Sequence, residues 1–149
     1  MVLASALATV TGAATAQAHA ARQVVDGLVF HYGLVPAEIV LAHPDSHAER
    51  QLHGGGSRGE SHLVLALFDE RQKIRLVQAE VTVQISRAEV VVASMPLQPM
   101  TIRGQPGFGG FVSVGAAGVY TIRFDVRLPG ASSVSTAAFE YRVSPELRP

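Results

Sequence analysis

Apolar and polar residues alternate with a period of two along most of this chain. The clearest run is Val119–Leu128, in which polar positions such as Thr121 and Arg123 separate large apolar ones. Strict alternation predicts a strand with one face on a core and the other in water. The predicted inward face comprises Tyr120, Ile122, Phe124, Val126 and Leu128.

Four more runs have the same period, and turn-forming residues separate them. The predicted inward residues are Leu28, Phe30 and Tyr32, then Leu63, Leu65 and Leu67, then Ala79, Val81, Val83 and Ile85, and finally Ala137, Phe139, Tyr141 and Val143. Asp69–Lys73 is a candidate hairpin tip, and the Pro/Gly-rich segment Met95–Gly110 is predicted to be a loop. About six to eight short strands with frequent turns predict an all-β fold, a single immunoglobulin-like antiparallel β-sandwich.

A helical period is nowhere sustained beyond two turns. The one local candidate begins near Ser46, which stands in capping-box spacing with Glu49. The glycines at Gly54–Gly56 would end it after about two turns. This short helix would carry His47 and His53 in different directions.

The N-terminal segment Met1–Ala20 differs from the rest because it has no charged residue and is rich in small and apolar ones. We predict a signal peptide, cut after Ala18 or Ala20 in a small-x-small sequence, although no basic residue precedes the apolar stretch. The alternative is a buried N-terminal helix. The predicted organisation is a signal peptide at 1–20, a sandwich domain at 21–143 and a flexible tail at 144–149.

Composition narrows the classes of function. Of 149 residues 48% are hydrophobic, which is enough for a packed core, and the 12 basic residues balance 12 acidic ones. Without a basic block, nucleic acid is not a predicted partner. The absence of cysteine excludes disulfides and thiolate chemistry. No apolar run after residue 20 reaches the length of about 20 residues that crosses a bilayer.

Histidines concentrate in one segment, which holds His43, His47, His53 and His62. Imidazole is the commonest metal-binding side chain, and methionine sulfur suits Cu(I). We therefore predict a copper or zinc site formed by these histidines with Met95 and Met100. Their spacing matches no standard zinc motif, so the alternatives are solvated loop histidines and methionines that fill gaps under a sheet.

Other chemistry has less support. His31 is interpreted as a packed surface residue on an edge-like strand. Cleavage after Ala18 would place His19 at the N-terminus, where its amine and imidazole together can chelate copper; cleavage after Ala20 would remove it. No nucleophile elbow, phosphate-binding loop or carboxylate pair is present, so we predict that the protein is not an enzyme. An oxidative enzyme using an N-terminal histidine is the distant alternative.

Two stretches carry a family resemblance. His62–Ile85 and Gly115–Gly130 resemble bacterial periplasmic immunoglobulin-like domains of the YtkA-like kind. Met95–Met100, ahead of the aromatic-glycine turn at Phe108 and Gly109, is similar to a periplasmic iron- and copper-binding sandwich family. That second resemblance implies a copper site with a methionine and histidines, although no histidine follows His62 here. The residues that match the first pattern are Asp69, Gln72, Ala79, Val81, Gly118 and Tyr120.

Together these features predict a periplasmic or secreted binding protein that handles copper or another transition metal, or that serves an exported or membrane complex. The alternative is a metal-free interaction module. In that case an exposed sheet edge, or the Met95–Gly110 segment, would contact a protein partner in the periplasm or at the membrane.

The leader prediction is tested at the N-terminus of the natural protein. Mass spectrometry of the exported chain is expected to show a start at His19 or Ala21, because a signal peptidase cuts after small-x-small sequences. A functional cytoplasmic protein that retains residues 1–20 would contradict this expectation.

Overall fold

The computed structural model describes residues 19–42, 56–57 and 59–144, and within them ten strands and one short helix. The signal peptide predicted at 1–20 lies outside these residues up to Ala18, as do the Ser46–His53 helix and the tail beyond Ser144. In the described part of the chain, no helix is long and apolar enough to cross a membrane. The elements are β1 His19–Val25, β2 Leu28–Pro36, α1 Ala37–Leu41, β3 Ser61–Asp69, β4 Arg75–Leu76, β5 Glu80–Arg87, β6 Val90–Pro96, β7 Gln98–Ile102, β8 Gln105–Val112, β9 Gly118–Arg127 and β10 Ser135–Val143.

The strands form two antiparallel sheets. One has the order β1-β2-β3-β8-β7, with β4 paired to the far end of β3, and the other has the order β10-β9-β5-β6. The chain changes sheets between β4 and β5, between β6 and β7, and between β8 and β9. This architecture confirms the prediction of an all-β sandwich.

The core lies between the inward faces of the two sheets, as the two-residue period predicts. Phe30, Leu63 and Phe124 have no exposed surface. At its centre the Tyr32 ring lies 4.6 Å from the Phe139 ring and 5.8 Å from the Phe124 ring, measured between centroids. Burial, and secondarily Tyr141, raises the pKa of Tyr32 to about 12, so its hydroxyl is neutral at physiological pH.

A side-chain hydrogen bond fixes one crossover between the sheets. Tyr120, near the start of β9, donates its hydroxyl to the carbonyl oxygen of Ala116 at 2.8 Å. A buried tyrosine that bonds backbone a few residues upstream is a tyrosine corner, a recurrent feature of immunoglobulin-like sandwiches. The Arg87 guanidinium lies over the same ring, 6.0 Å from its centroid.

The hairpin tip predicted at Asp69–Lys73 is confirmed. The Asp69 carboxylate accepts hydrogen bonds from the backbone N–H groups of Arg71 and Gln72 at 2.9 and 2.7 Å. Such a side chain satisfies turn donors that would otherwise need water. The chain then returns as β4, with Arg75 opposite Phe68.

The loop predicted at Met95–Gly110 is wrong, because this segment forms the end of β6, all of β7 and most of β8. Pro99 is tolerated because β7 is the edge strand of its sheet. Gly107 is required by close packing, since a Cβ built there would lie 2.9 Å from the Leu65 carbonyl oxygen. Pro99 and Gly107 were interpreted as turn signals in the sequence. In the structure, Pro99 marks an edge strand and Gly107 a close contact between strands. Strands β1 and β6 and helix α1 also went unpredicted.

Removal of a central aromatic ring tests the packing. Phe124→Ala is expected to lower the free energy of unfolding by about 3–5 kcal/mol, because the residue is fully buried and leaves a cavity. Urea denaturation measures the loss. Val119→Ala on the same strand, where the side chain is 38% exposed, is the control and should change little. Equal, small losses in both variants would contradict the assignment of this core.

Candidate metal centre

Strand β3 places a histidine on the outward face of its sheet. His62 alternates with the core residues Leu63 and Leu65, so its side chain points away from the sandwich interior. It is nevertheless buried, with only 3% of its surface exposed. It lies opposite Phe111 on β8, and the two rings stack with centroids 4.8 Å apart and an angle of 27°. The ring is therefore held in one orientation.

Met100 reaches the same place from the edge strand β7. It pairs with Gly107 and is 7% exposed. A Cβ built at Gly109 would overlap the Met100 sulfur and would lie 3.2 Å from His62 Nε2. Both atoms thus lie within 3.2 Å of one point, and Gly109 provides the space by lacking a side chain. The structure brings together one imidazole nitrogen and one thioether sulfur.

Met95 lies on the opposite side of the sheet from this pair. It belongs to β6, packs against the core, and its methyl carbon would be 2.9 Å from a Cβ built at Gly110. Because adjacent residues of β8 face opposite sides, Gly109 and Gly110 separate the two methionines. Met95 fills space between the sheets and is not brought to His62.

The three remaining candidates, His43, His47 and His53, lie outside the described residues. The ends of the connection that carries them are well defined. Pro36 pairs with Ser61, and the Ala37 N–H donates to the Glu60 carbonyl oxygen at 2.8 Å. The connection therefore leaves and rejoins the sandwich at one point.

Gly56 then brings the end of this connection close to the pair. A Cβ built at Gly56 would overlap the Phe111 ring, which is the ring that stacks on His62.

His31 occupies the same outward face but stands apart from the pair. It lies in β2, which has β1 on one side and β3 on the other, so the edge position predicted for it is wrong. Its ring is exposed and meets Phe68 edge to face, with centroids 5.5 Å apart. Within the residues that the structure describes, no group of three or more histidine and carboxylate side chains is placed to hold a metal.

Gly109 was predicted only as part of a turn, whereas it lies within β8, and Phe111 was not predicted; both residues shape this site. A signal was present in "GQPGFGGF", where Gly107 and Gly109 stand at alternate positions on either side of Phe108. In a strand, such alternation leaves one face bare next to a packed one.

Comparison with known proteins finds solved structures that share this fold. No family model and no curated protein matches the sequence. Copper-reconstituted P19 from Campylobacter jejuni aligns with a TM-score of 0.65 at 10% identity, over 87% of this chain and 99% of P19. A copper-bound variant of FetP from uropathogenic Escherichia coli strain F11 gives 0.62 at 8% identity, over 85% and 97%. A DUF4426 family protein from Pseudomonas aeruginosa PAO1 gives 0.63 at 15% identity, over 85% and 95%.

These alignments cover nearly the whole of each neighbour, so the chain shares their complete β-sandwich. At such identities the likeness shows the fold alone. The resemblance to YtkA-like domains stays a prediction, whereas the expected likeness to copper-binding sandwich proteins is found in the structural neighbours.

The position of Gly109 yields a test of the site's geometry. Gly109→Ala is expected to destabilise the fold by about 1–3 kcal/mol, because the new methyl group overlaps Met100 and meets the Leu63 carbonyl oxygen at 2.9 Å. Urea denaturation again measures it. In the control Gly115→Ala the nearest atom is 4.0 Å away, so stability should hold. A stable Gly109→Ala protein would show that Met100 does not lie over this glycine.

Proposed function

We propose that this protein binds copper, as Cu(I), between His62 and Met100, with further ligands from His43, His47 and His53. The observation that carries the proposal is the convergence of Nε2 and Sδ over Gly109. A metal bound to nitrogen at about 2.0 Å and to sulfur at about 2.3 Å brings those atoms within roughly 4.4 Å of each other. The two side chains can meet this requirement with small rotations.

The chemistry of the pair favours copper over harder ions. A thioether is a soft ligand that suits Cu(I), and imidazole suits copper and zinc alike. Burial of both side chains excludes water, which favours a reduced, weakly hydrated ion over one that keeps a water shell. The ring stacking on Phe111 fixes His62 before metal arrives, so little conformational entropy is lost there on binding.

The fold neighbours support the same metal. P19 and FetP are both known as copper-bound structures. One FetP structure is of protein expressed in the periplasm. Together with the uncharged N-terminal segment ending in "AQAHA", this favours metal handling in the periplasm or outside the cell.

Competitive titration of the exported protein with Cu(I), Cu(II) and Zn(II) tests the proposal. Met100→Leu keeps the side-chain volume but removes the sulfur, so we expect Cu(I) affinity to fall at least about tenfold, or 1.4 kcal/mol. Zn(II) affinity should fall less, because zinc depends less on a thioether. His62→Ala is expected to lower the affinity for all three metal ions.

Two matched variants serve as controls. Met95→Leu removes a sulfur from the other side of the sheet, and His31→Ala removes an exposed imidazole from the same face. Both are expected to bind Cu(I) as the parent does. Equal losses in Met95→Leu and Met100→Leu, or unchanged affinity in both Met100→Leu and His62→Ala, would contradict the site.

A second candidate function has its own observation. Strand β6 is an edge of its sheet, and its consecutive residues Val90, Val91 and Val92 are 65%, 49% and 49% exposed. An apolar edge strand is a template for pairing with a strand of a partner. A protein that binds no metal but associates through β6 would be the interaction module.

A further inference from the structure

A groove of about 600 Å³ runs along the outward face of the β1-β2-β3-β8-β7 sheet. Its floor consists of small or short side chains, namely Gly33, Val64, Ala66 and Gly107. Strand β7 forms one wall with Met100 and Ile102, and β1 forms the other. This volume lies within the range of about 300–1,000 Å³ that small-molecule sites have.

This outward sheet face is more apolar than the solvent-exposed face of a β-sandwich usually is. The outward face of the other sheet is polar, with Arg123 paired to Asp125 at 3.1 Å and Thr136 donating to the same carboxylate at 2.6 Å. An outward sheet face in water is ordinarily of that kind. On the grooved face, most positions that alternate with the core residues are apolar instead, such as Val64, Ala66 and Phe68 on β3. A contiguous apolar concavity of this kind marks a binding surface.

The charged groups along the groove all have one sign. Arg22 and Arg75 line it, and no acidic residue does so in the described part of the chain. Arg22 pairs with His31 across β1 and β2, and Arg75 pairs with Phe68, the residue two places beyond Ala66. The cationic groups therefore gather toward one end of the groove. The other end, where Gly33 and Val64 lie, is apolar.

Arg75 is already positioned for a ligand. Its guanidinium donates to the Pro106 carbonyl oxygen and lies over the Phe68 ring, 4.8 Å from the centroid. A guanidinium has five N–H donors, so this hydrogen bond leaves others for an anion. A held arginine loses less freedom when it binds a carboxylate than a mobile one does.

We propose that this groove binds a small amphipathic carboxylate, of the class of a medium-chain fatty acid. Its carboxylate pairs with Arg75, Arg22 on the other side of β2 and β3 adds positive charge at the same end, and the apolar body covers the floor toward Val64. The charge distribution selects an anion, and the division into a cationic and an apolar end selects an amphipath. Met100 lines both this groove and the proposed metal site, so the proposal is tested on metal-free protein.

The probe is 8-anilinonaphthalene-1-sulfonate, whose fluorescence rises in apolar sites. Metal-free protein is titrated with it, and decanoate and decan-1-ol then compete for the site. We expect decanoate to displace the probe at a concentration about tenfold lower than decan-1-ol, because only the acid pairs with Arg75. Equal potency of the two, or no probe binding, would overturn the proposal.

Variants locate the site. Ala66→Leu places a larger side chain on the floor and should weaken decanoate binding about tenfold or more; Ala138→Leu, on the outward face of the other sheet, is the control. Arg22→Gln should weaken decanoate several-fold and leave decan-1-ol unchanged, whereas Arg123→Gln should change neither. Circular dichroism confirms folding. Decanoate affinity that is unchanged in folded Ala66→Leu and Arg22→Gln would overturn the proposal.

Discussion

The pleat of strand β3 is the constraint on which the rest of the molecule depends. This strand pairs with β2 on one side and with β8 and β4 on the other, so it is the centre of its sheet. Its alternation sends Leu63, Leu65 and Leu67 into the core. The same alternation sends His62 to the pair with Met100, and Val64 and Ala66 to the floor of the groove. A shift of one residue would exchange the two sets, so core packing fixes the site.

This coupling explains why much of the fold was predictable from sequence. Wherever one face is buried and the other wet, the two-residue period is visible, as in β5 and β9, and both strands and inward faces were predicted correctly. Strand β6 was not predicted because Val90, Val91 and Val92 are all apolar and exposed, so polar and apolar residues do not alternate there. Its pairing with β5 is also irregular between Ile85 and Ser86. A bulge shifts the two-residue period, so the alternation no longer indicates which residues face the core.

The candidate site was predictable only in part, for a related reason. Their side-chain chemistry made His62 and Met100 candidate ligands. The sequence separates them by 38 positions, however, and does not show that β8 lies between their strands. Met95 and Met100 look equivalent in sequence. They differ because the chain changes sheets at Leu97, which puts one inside the sandwich and the other outside. The rest of the site's shape depends on glycines, which are hard to recognise as site residues because they carry no side chain.

The closure at the base of the β2–β3 connection has an evolutionary consequence. Pairing of Pro36 with Ser61, and the hydrogen bond between Ala37 and Glu60, seal the sandwich where this connection begins and ends. The entropy of closing such a connection grows only slowly, by about 0.6 kcal/mol for each doubling of its length. Changes in the length of this connection therefore cost the scaffold little. Relatives can differ in the length of chain between α1 and Gly56 while the two sheets are inherited unchanged.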